Sequence, residues 1–324
     1  MNKLLQIENL HTYFYTKDKI IKAVEGISFH VNKGEALGVV GESGCGKSVT
    51  GMSIMQLLQT PPAKYVKGKI VFKGRDLLDV SSEEIRKLRG KDISIIFQEP
   101  MSALNPVFTV GFQLEEVLKV HTDIDKKERF KKVYQIMEKV GLPDPQKRFN
   151  EYPHQLSGGM RQRIMIAMAL LMKPELVIAD EPTTALDVTI QKQVLDLMKE
   201  LQKEMQLSLI FISHDLGVVK EIAQRIIVMY SGEIVEESTI EDIFKNPLHP
   251  YTRGLIDSIP PIEYNKKKEP LKSIPGKVPD PSNKPVGCPF YPRCEKRMDI
   301  CENKRPDFFE KEPNHFVKCF LYEK

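Results

Sequence analysis

The chain has 324 residues, room for one large domain with a small one or for two domains, and 48 Lys plus Arg against 44 Asp plus Glu leave a formal charge of only +4. So mild a balance gives no argument for nucleic acid; a diffuse, solvated surface accounts for it. No run approaches the roughly 18 apolar residues of a membrane span, and the opening MNKLLQIENL lacks a signal-peptide core, so a soluble cytoplasmic protein, able to dock on a membrane partner, is expected.

Residues 4–10 and 27–31 read as strands leading to a third, Ala36–Val40. Between the first two lies the aromatic knot Thr12-Tyr13-Phe14-Tyr15-Thr16, followed by the polar turn Lys17-Asp18-Lys19. An aromatic side chain here either stacks on a purine, a contact of about 1–3 kcal/mol if base stacking is a guide, or packs along a strand edge. The third strand runs into Gly41-Glu42-Ser43-Gly44-Cys45-Gly46-Lys47-Ser48, the P-loop pattern G-x-x-x-x-G-K-S, and a helix is predicted over Val49–Leu58. These flanks argue against a chance glycine-rich turn. Glycines let main-chain N–H groups converge on phosphate oxygens, and the new helix turns its positive end to the same anion. Lys47 can reach the β- and γ-phosphates and the Ser48 hydroxyl can ligate magnesium, so a nucleoside triphosphate is the expected ligand.

A strand over Lys69–Phe72 and a turn at Lys73-Gly74 follow, and Ser81-Ser82-Glu83-Glu84 marks a helix start with acidic first-turn residues. Asp92–Phe97 reads as a buried strand ending at Gln98. Beyond Gln98-Glu99-Pro100 the pattern becomes helical and charged from Val110 to Leu142, with Asp125-Lys126-Lys127-Glu128-Arg129 opening a second helix. This is a strandless insertion of about sixty residues. It ends at Leu156-Ser157-Gly158-Gly159-Met160-Arg161-Gln162-Arg163, before the apolar helix Ile164–Leu171. Locally, Ser157 with two glycines is either an anion-ready helix start or an ordinary cap.

The apolar run Leu176–Ala179 ends in Asp180-Glu181, two carboxylates at the carboxyl end of a buried strand, where α/β sheets bind ligands. Asp180 is placed to hold magnesium, directly or through water, and Glu181 to polarise an attacking water. A helix over Ile190–Met205 and a strand over Ser208–Ile212 lead to Ser213-His214-Asp215. His214 at a strand end can contact a γ-phosphate; a lone histidine is more often structural, so its weight comes from its company. Ile226–Tyr230 and Ile234–Glu236 form a hairpin about Ser231-Gly232, and Thr239–Phe244 a short helix. Seven prolines between Ile259 and Pro285, with the basic run Lys266-Lys267-Lys268, read as a loop-rich connector.

Four of the five cysteines crowd the tail as Cys288, Cys294, Cys301 and Cys319, spaced C-x5-C-x6-C-x17-C. In a reducing cytosol this suggests a metal or cluster site more than disulfides. Zinc modules pair cysteines two to four residues apart, which this spacing does not offer. Four thiolates on a loop-rich scaffold suit a [4Fe–4S] cluster, although the spacing matches neither common ferredoxin pattern. Zinc and plain reduced cysteines stay open. A cluster here can be structural, because a proline-rich tail has little core of its own.

Taken together, these residues resemble the ATP-binding cassette (ABC) family of transporter ATPases. Gln98 falls at the Q-loop, Leu156–Gln162 matches the LSGGQ-type signature with Met160 in place of glutamine, and Asp180-Glu181 matches Walker B and the catalytic glutamate. Thr184-Ala185-Leu186-Asp187 resembles the D-loop, with Thr184 for the usual serine, and His214 the switch histidine. By register from the first strand, Phe14 is similar to the adenine-stacking aromatic, with Tyr15 and Tyr13 as alternatives. All these elements occur in the family's order over residues 1 to about 240.

The resemblance implies an α/β fold: a RecA-like P-loop core with an antiparallel β subdomain and a helical subdomain at about 100–160, together residues 1–240, and a loop-rich extension at 241–324. It implies ATP and Mg2+ as cofactors. ATP would lie against Phe14, Gly41, Ser43, Gly44, Cys45, Gly46, Lys47, Ser48, Val49, Gln98 and Asp180, and magnesium at Ser48, Gln98 and Asp180. Glu181, His214, Lys47 and Gln98 would act on that nucleotide, while Ser157, Gly158, Gly159 and Asp187 would reach one held by a second cassette packed head to tail. Cys45, inside the turn, is a small residue that fits and not a metal ligand.

The tail narrows the resemblance. Asn246-Pro-Leu-His-Pro-Tyr-Thr252, Gly287-Cys-Pro-Phe-Tyr-Pro-Arg-Cys294, Met298-Asp-Ile-Cys301 and Cys319 are similar to the extension of oligopeptide and dipeptide importer ATPases, shared by nickel and cation importers. That subfamily implies a second, different ATPase subunit, two membrane permeases docking beyond Gln98, an extracytoplasmic peptide-binding protein, and a peripheral place on the cytoplasmic face of the membrane. It also supports an iron–sulfur reading of the four cysteines. The competing readings are a nickel or cation importer ATPase, a soluble cassette acting on nucleic acid or ribosomes, and a regulatory subunit with dead chemistry. Low charge and a compact single cassette argue against nucleic acid, and intact Lys47, Asp180, Glu181 and His214 against dead chemistry.

Overall fold

The computed structural model describes residues 3–99, 103–184, 186–259 and 273–323. Pro100, Ala185 and the run Lys266-Lys267-Lys268 lie outside them. In chain order the elements are β1 (Lys3–Tyr15), β2 (Ile20–Asn32), β3 (Ala36–Val40), α1 (Lys47–Ile54), β4 (Ala63–Phe72), β5 (Arg75–Asp76), α2 (Ser82–Leu88) and β6 (Ile93–Ile96). The helices α3 (Val110–His121), α4 (Lys126–Lys139), α5 (Pro145–Phe149) and α6 (Gly158–Leu170) follow, then β7 (Leu176–Asp180), α7 (Val188–Met205), β8 (Ser208–Ser213) and α8 (Leu216–Ile222). The chain continues through β9 (Arg225–Tyr230), β10 (Glu233–Thr239), α9 (Ile240–Lys245), α10 (Pro250–Asp257), α11 (Ile300–Asn303), β11 (Phe309–Glu312) and β12 (His315–Val317). No described helix is long and apolar enough to cross a membrane.

These elements divide between two units, residues 32–35 with 79–211, and residues 3–31, 36–78 and 212–323. The second unit carries two sheets. One has the order β2-β1-β4-β5, with β1 antiparallel to β4. The expected stop after residue 10 does not occur. The register shifts between Glu8 and His11, where Asn9 has φ 46°, and the buried side changes from Leu5 and Ile7 to Leu10 and Thr12. A β-bulge thus carries β1 through the aromatic knot instead of ending it. In the other sheet β3 is parallel to β9, and β9, β10, β12 and β11 succeed one another antiparallel. The hairpin β11–β12 is ordered structure that the loop-rich reading of the tail missed. Its outer strand is short, with Glu310, Lys311 and Glu312 exposed, as suits a sheet edge.

In the first unit β6 and β7 are parallel, paired Ile93↔Leu176 to Ile96↔Ala179, and β7 is buried throughout. Among the described residues no strand interrupts 99–175. Thr109 and Asp125 cap α3 and α4 through their side chains, and Val110, Leu114, Leu118, Val133 and Met137 are buried. Phe130, Tyr134 and Phe149 pack ring to ring with centroids 5.0–6.3 Å apart, fastening α5 to α4. The helix start read at Ser157 is that of α6, which Ser157 caps, and the apolar stretch from Ile164 continues it to Leu170. In the second unit α1 stops at Ile54, short of Leu58, with Gln56 in the left-handed region just beyond its end.

Candidate active site

The P-loop occupies the carboxyl end of β3, all five residues of which are buried. Two glycines are dictated by what passes beside them. A Cβ on Gly41 would fall on the Met229 carbonyl oxygen of β9, and one on Gly46, at φ 103°, would lie 2.5 Å from the Ala23 carbonyl oxygen. Ser43 and Gly44 form the exposed tip. Cys45 is fully buried and its carbonyl accepts the Gly232 N–H at 2.9 Å; burial pushes its thiol pKa up. Lys47 is 4% exposed, and its ammonium donates to the carbonyls of Gly41 at 2.7 Å and Glu42 at 3.1 Å, drawing the loop round the charge. Ser48 and Val49 are half-buried on the first turn of α1.

The Thr12 and Ser53 hydroxyls, 3.1 Å apart, join β1 to α1. Strand alternation puts Phe14, half-buried, on the same side of β1 as Thr12. Tyr13 falls on the other side, its hydroxyl 3.2 Å from His11 Nδ1, and Tyr15 is 43% exposed. His214 follows β8, exposed, ahead of Asp215, which caps α8 by accepting from the Gly217 N–H at 2.8 Å.

In the first unit the parallel pairing of β6 and β7 brings their following residues together. Asp180 ends β7 at 4% exposure, and Glu181 turns at φ 47°. Its Oε2 accepts from Gln98 Nε2 at 3.1 Å and from the Thr184 hydroxyl at 3.0 Å. Two donors on one carboxylate oxygen fix its direction. The threonine in the D-loop match thus presents its hydroxyl to that carboxylate. Ser157, exposed, caps α6 by accepting the Met160 N–H at 3.3 Å. Gly159 leaves no room for a side chain, since a Cβ would lie 2.8 Å from Ile190 Cγ2. Asp187, exposed, caps α7 by accepting the Ile190 N–H at 3.0 Å.

The tail places Cys288, Cys294, Cys301 and Cys319 on the wall of one cavity of about 20 Å³, with His249 and Phe290 beside them. Four soft thiols on one wall are the donor set of a thiolate cluster or of a zinc site with four sulfur ligands. Among the described residues, no three histidine, cysteine or carboxylate side chains stand close enough to hold a metal ion as they are. Burial raises the Cys294 thiol pKa and pushes those of Cys288 and Cys319 up to about 11 and about 12.

Sequence reasoning missed a second set of P-loop neighbours. Arg293 forks both carboxylate oxygens of Glu42 at 2.6 and 3.0 Å, and the Tyr251 hydroxyl accepts the Glu42 N–H at 2.8 Å. The Tyr251 ring packs on Tyr230 and Phe290, with centroids 4.7 and 5.5 Å away. No local pattern announces contacts between residues 209 and 251 positions apart.

The ABC transporter family pattern matches residues 24–184, and the oligopeptide/dipeptide transporter C-terminal region matches residues 235–301. The oligopeptide transport ATP-binding protein AppD of Bacillus subtilis (strain 168) is 50% identical over 323 residues, covering 100% of this chain and 98% of that protein. The dipeptide transport ATP-binding protein DppD of the same organism is also 50% identical, with coverage of 100% and 96%. The chain belongs to the ABC transporter family of ATP-binding proteins, in its oligopeptide/dipeptide branch. Among solved structures, the ATP-binding cassette MJ0796 in a dimeric post-hydrolysis state bound to ADP and Pi has a TM-score of 0.66 at 28% identity. That match covers 73% of this chain and 98% of the other. The family's first pattern thus spans the P-loop and Asp180-Glu181, and its second takes in Cys288, Cys294 and Cys301.

Proposed function

We propose that this ABC protein hydrolyses ATP to drive a membrane importer of dipeptides or oligopeptides. The observation that carries the reading is the Glu181 carboxylate, aimed by Gln98 and Thr184 at the end of the strand that presents Asp180. In this reading Glu181 takes a proton from, or orients, the attacking water. Lys47 and the loop N–H groups stabilise charge on the transferring phosphoryl group, and His214 contacts the γ-phosphate. Ser48, Gln98 and Asp180 would hold Mg2+, which when bound neutralises charge on the β- and γ-phosphoryl oxygens. Phe14 stacks on the adenine. Ser157, Gly158, Gly159 and Asp187, all at helix starts facing solvent or half-buried, serve the nucleotide of a second cassette.

The working assembly is then a head-to-tail pair with a different ATPase subunit, two permeases and, indirectly, a peptide-binding protein, on the cytoplasmic face of the membrane. Phe108 and Phe112, stacked at 4.6 Å and about 40% exposed, with Val107 70% exposed nearby in sequence, offer the helical segment an apolar surface for a permease helix. Residues 1–240 would form the cassette, with its helical part at about 100–160, and 241–324 the extension. The four tail cysteines would hold a [4Fe–4S] cluster, with zinc as the alternative. Glu181→Gln tests the core of the proposal. ATP turnover is expected to fall at least about a hundredfold, while gel filtration of the variant mixed with its partner ATPase subunit in ATP registers the closed pair. Unchanged turnover would remove the assignment.

A further inference from the structure

We propose that Arg293, in the tail, is a positioning residue for the nucleotide: it sets the P-loop through Glu42. The inference rests on the ATPase reading above and adds to it a residue 251 positions beyond the loop. The Arg293 side chain is 3% exposed, and all five of its N–H groups have acceptors. Nε donates to the Pro275 carbonyl at 2.8 Å. Nη1 donates to Glu42 Oε2 at 2.6 Å and to the Tyr230 hydroxyl at 3.4 Å, and Nη2 to Glu42 Oε1 at 3.0 Å and the Ile274 carbonyl at 3.4 Å. The guanidinium also lies over the Tyr230 ring, 5.8 Å from its centroid. A fork this fully engaged fixes its partner's direction as well as its distance.

Glu42 passes that constraint into the loop. Its side chain meets Arg293, its N–H meets Tyr251, and its carbonyl accepts from the ammonium of Lys47. One residue thereby links the tail to the lysine expected on the β- and γ-phosphates. The far side of the loop is tied to the tail as well. Lys284 donates to the Ser231 carbonyl and pairs with Glu25 at 3.1 Å, next to Gly232, whose N–H holds the Cys45 carbonyl. Because catalysis and binding here depend on the loop's position within a fraction of an ångström, loosening Glu42 weakens nucleotide binding more than it slows chemistry.

The test compares wild type, Glu42→Gln, Arg293→Lys and the double variant by calorimetric titration with Mg-ADP and by ATPase kinetics. Glu42→Gln is the variant least able to disturb folding, because its side chain is 31% exposed at the loop surface. Both single variants are expected to raise the ADP Kd and the ATP KM about tenfold, with kcat changed less than threefold and the unfolding midpoint within a few degrees of wild type. The double variant is expected to be no weaker than the weaker single one, since both remove one contact. Wild-type affinity in the folded single variants, or additive losses in the double, would overturn the proposal while leaving the ATPase reading standing. A wild-type chain that binds neither ADP nor ATP would overturn both.

Discussion

The tail thiols show how much a residue's chemistry depends on its surroundings. Burial, with the neighbouring cysteines adding to it, holds Cys288 and Cys319 at pKa values of about 11 and about 12, so both keep their protons at neutral pH. A metal or cluster bound by these sulfurs must displace those protons, and its affinity therefore rises with pH over the whole range below about 11. Anaerobic purification is expected to give coloured protein with iron on the four cysteines, and Cys301→Ser to lose both colour and iron. Colourless protein carrying zinc would remove the cluster from the proposal. At the same scale, Thr184 stands where the family pattern usually has serine. The D-loop hydroxyl is retained on threonine, and it is the hydroxyl that reaches the carboxylate.

Among the elements, α10 carries an acid-sensitive start. His249 caps it, with Nδ1 accepting the Tyr251 N–H at 3.1 Å, and full burial holds this imidazole down to a pKa of about 4. The folded chain keeps His249 neutral until about pH 4, whereas the unfolded chain takes up a proton near 6.5. Between those values the unfolded state binds more protons, so stability falls as pH drops from 6.5 to 4, by up to about 3 kcal/mol. Asparagine keeps a capping acceptor without a titrating ring. In His249→Asn, urea unfolding at pH 7 and pH 4.5 is expected to differ by about 2–3 kcal/mol less than in wild type; an unaltered acid limb would place the titration elsewhere.

Elements were legible in the sequence where local chemistry decides them. The strands β3, β6, β7 and β8 are short apolar runs, and Ser81, Asp125 and Ser157 announce their helices as capping residues. The same holds for the P-loop and for Gln98, Asp180 and Glu181, which sit at strand ends. Legibility failed where partners are distant. The run Phe309-Glu-Lys-Glu312 looks like solvated charge until β12 pairs it to the sheet beside β10. Prolines 247 and 250 disguised α10, although Pro250 stands at its first turn, where a missing N–H costs nothing. Glu42 and Arg293 carry no mutual signal at all.

At the scale of the molecule, the tail is part of the second unit's construction. The β10 carboxylates take their partners from it: Glu233 pairs with Arg305 and Lys318, and Glu236 accepts from the Leu248 and His249 N–H groups and lies 2.8 Å from His315 Nε2. Strand β12 covers the edge of β10, whose residues are almost all buried. A chain stopped after residue 246 would present β10 as a bare edge and leave Glu233 and Glu236 without those partners. We expect most of it to appear in aggregates by light scattering, against a soluble intact chain. A soluble, ADP-binding truncated protein would contradict this account.

The span from Glu42 to Arg293 also fixes an order of events during synthesis. A ribosome adding about 5–20 residues per second makes Arg293 roughly 13–50 s after Glu42. Throughout that interval the nascent chain carries its phosphate-binding loop without the guanidinium that holds it. Until Arg293 is made, Glu42 lacks its guanidinium partner, so on the proposal above the growing polypeptide binds nucleotide more weakly than the finished chain.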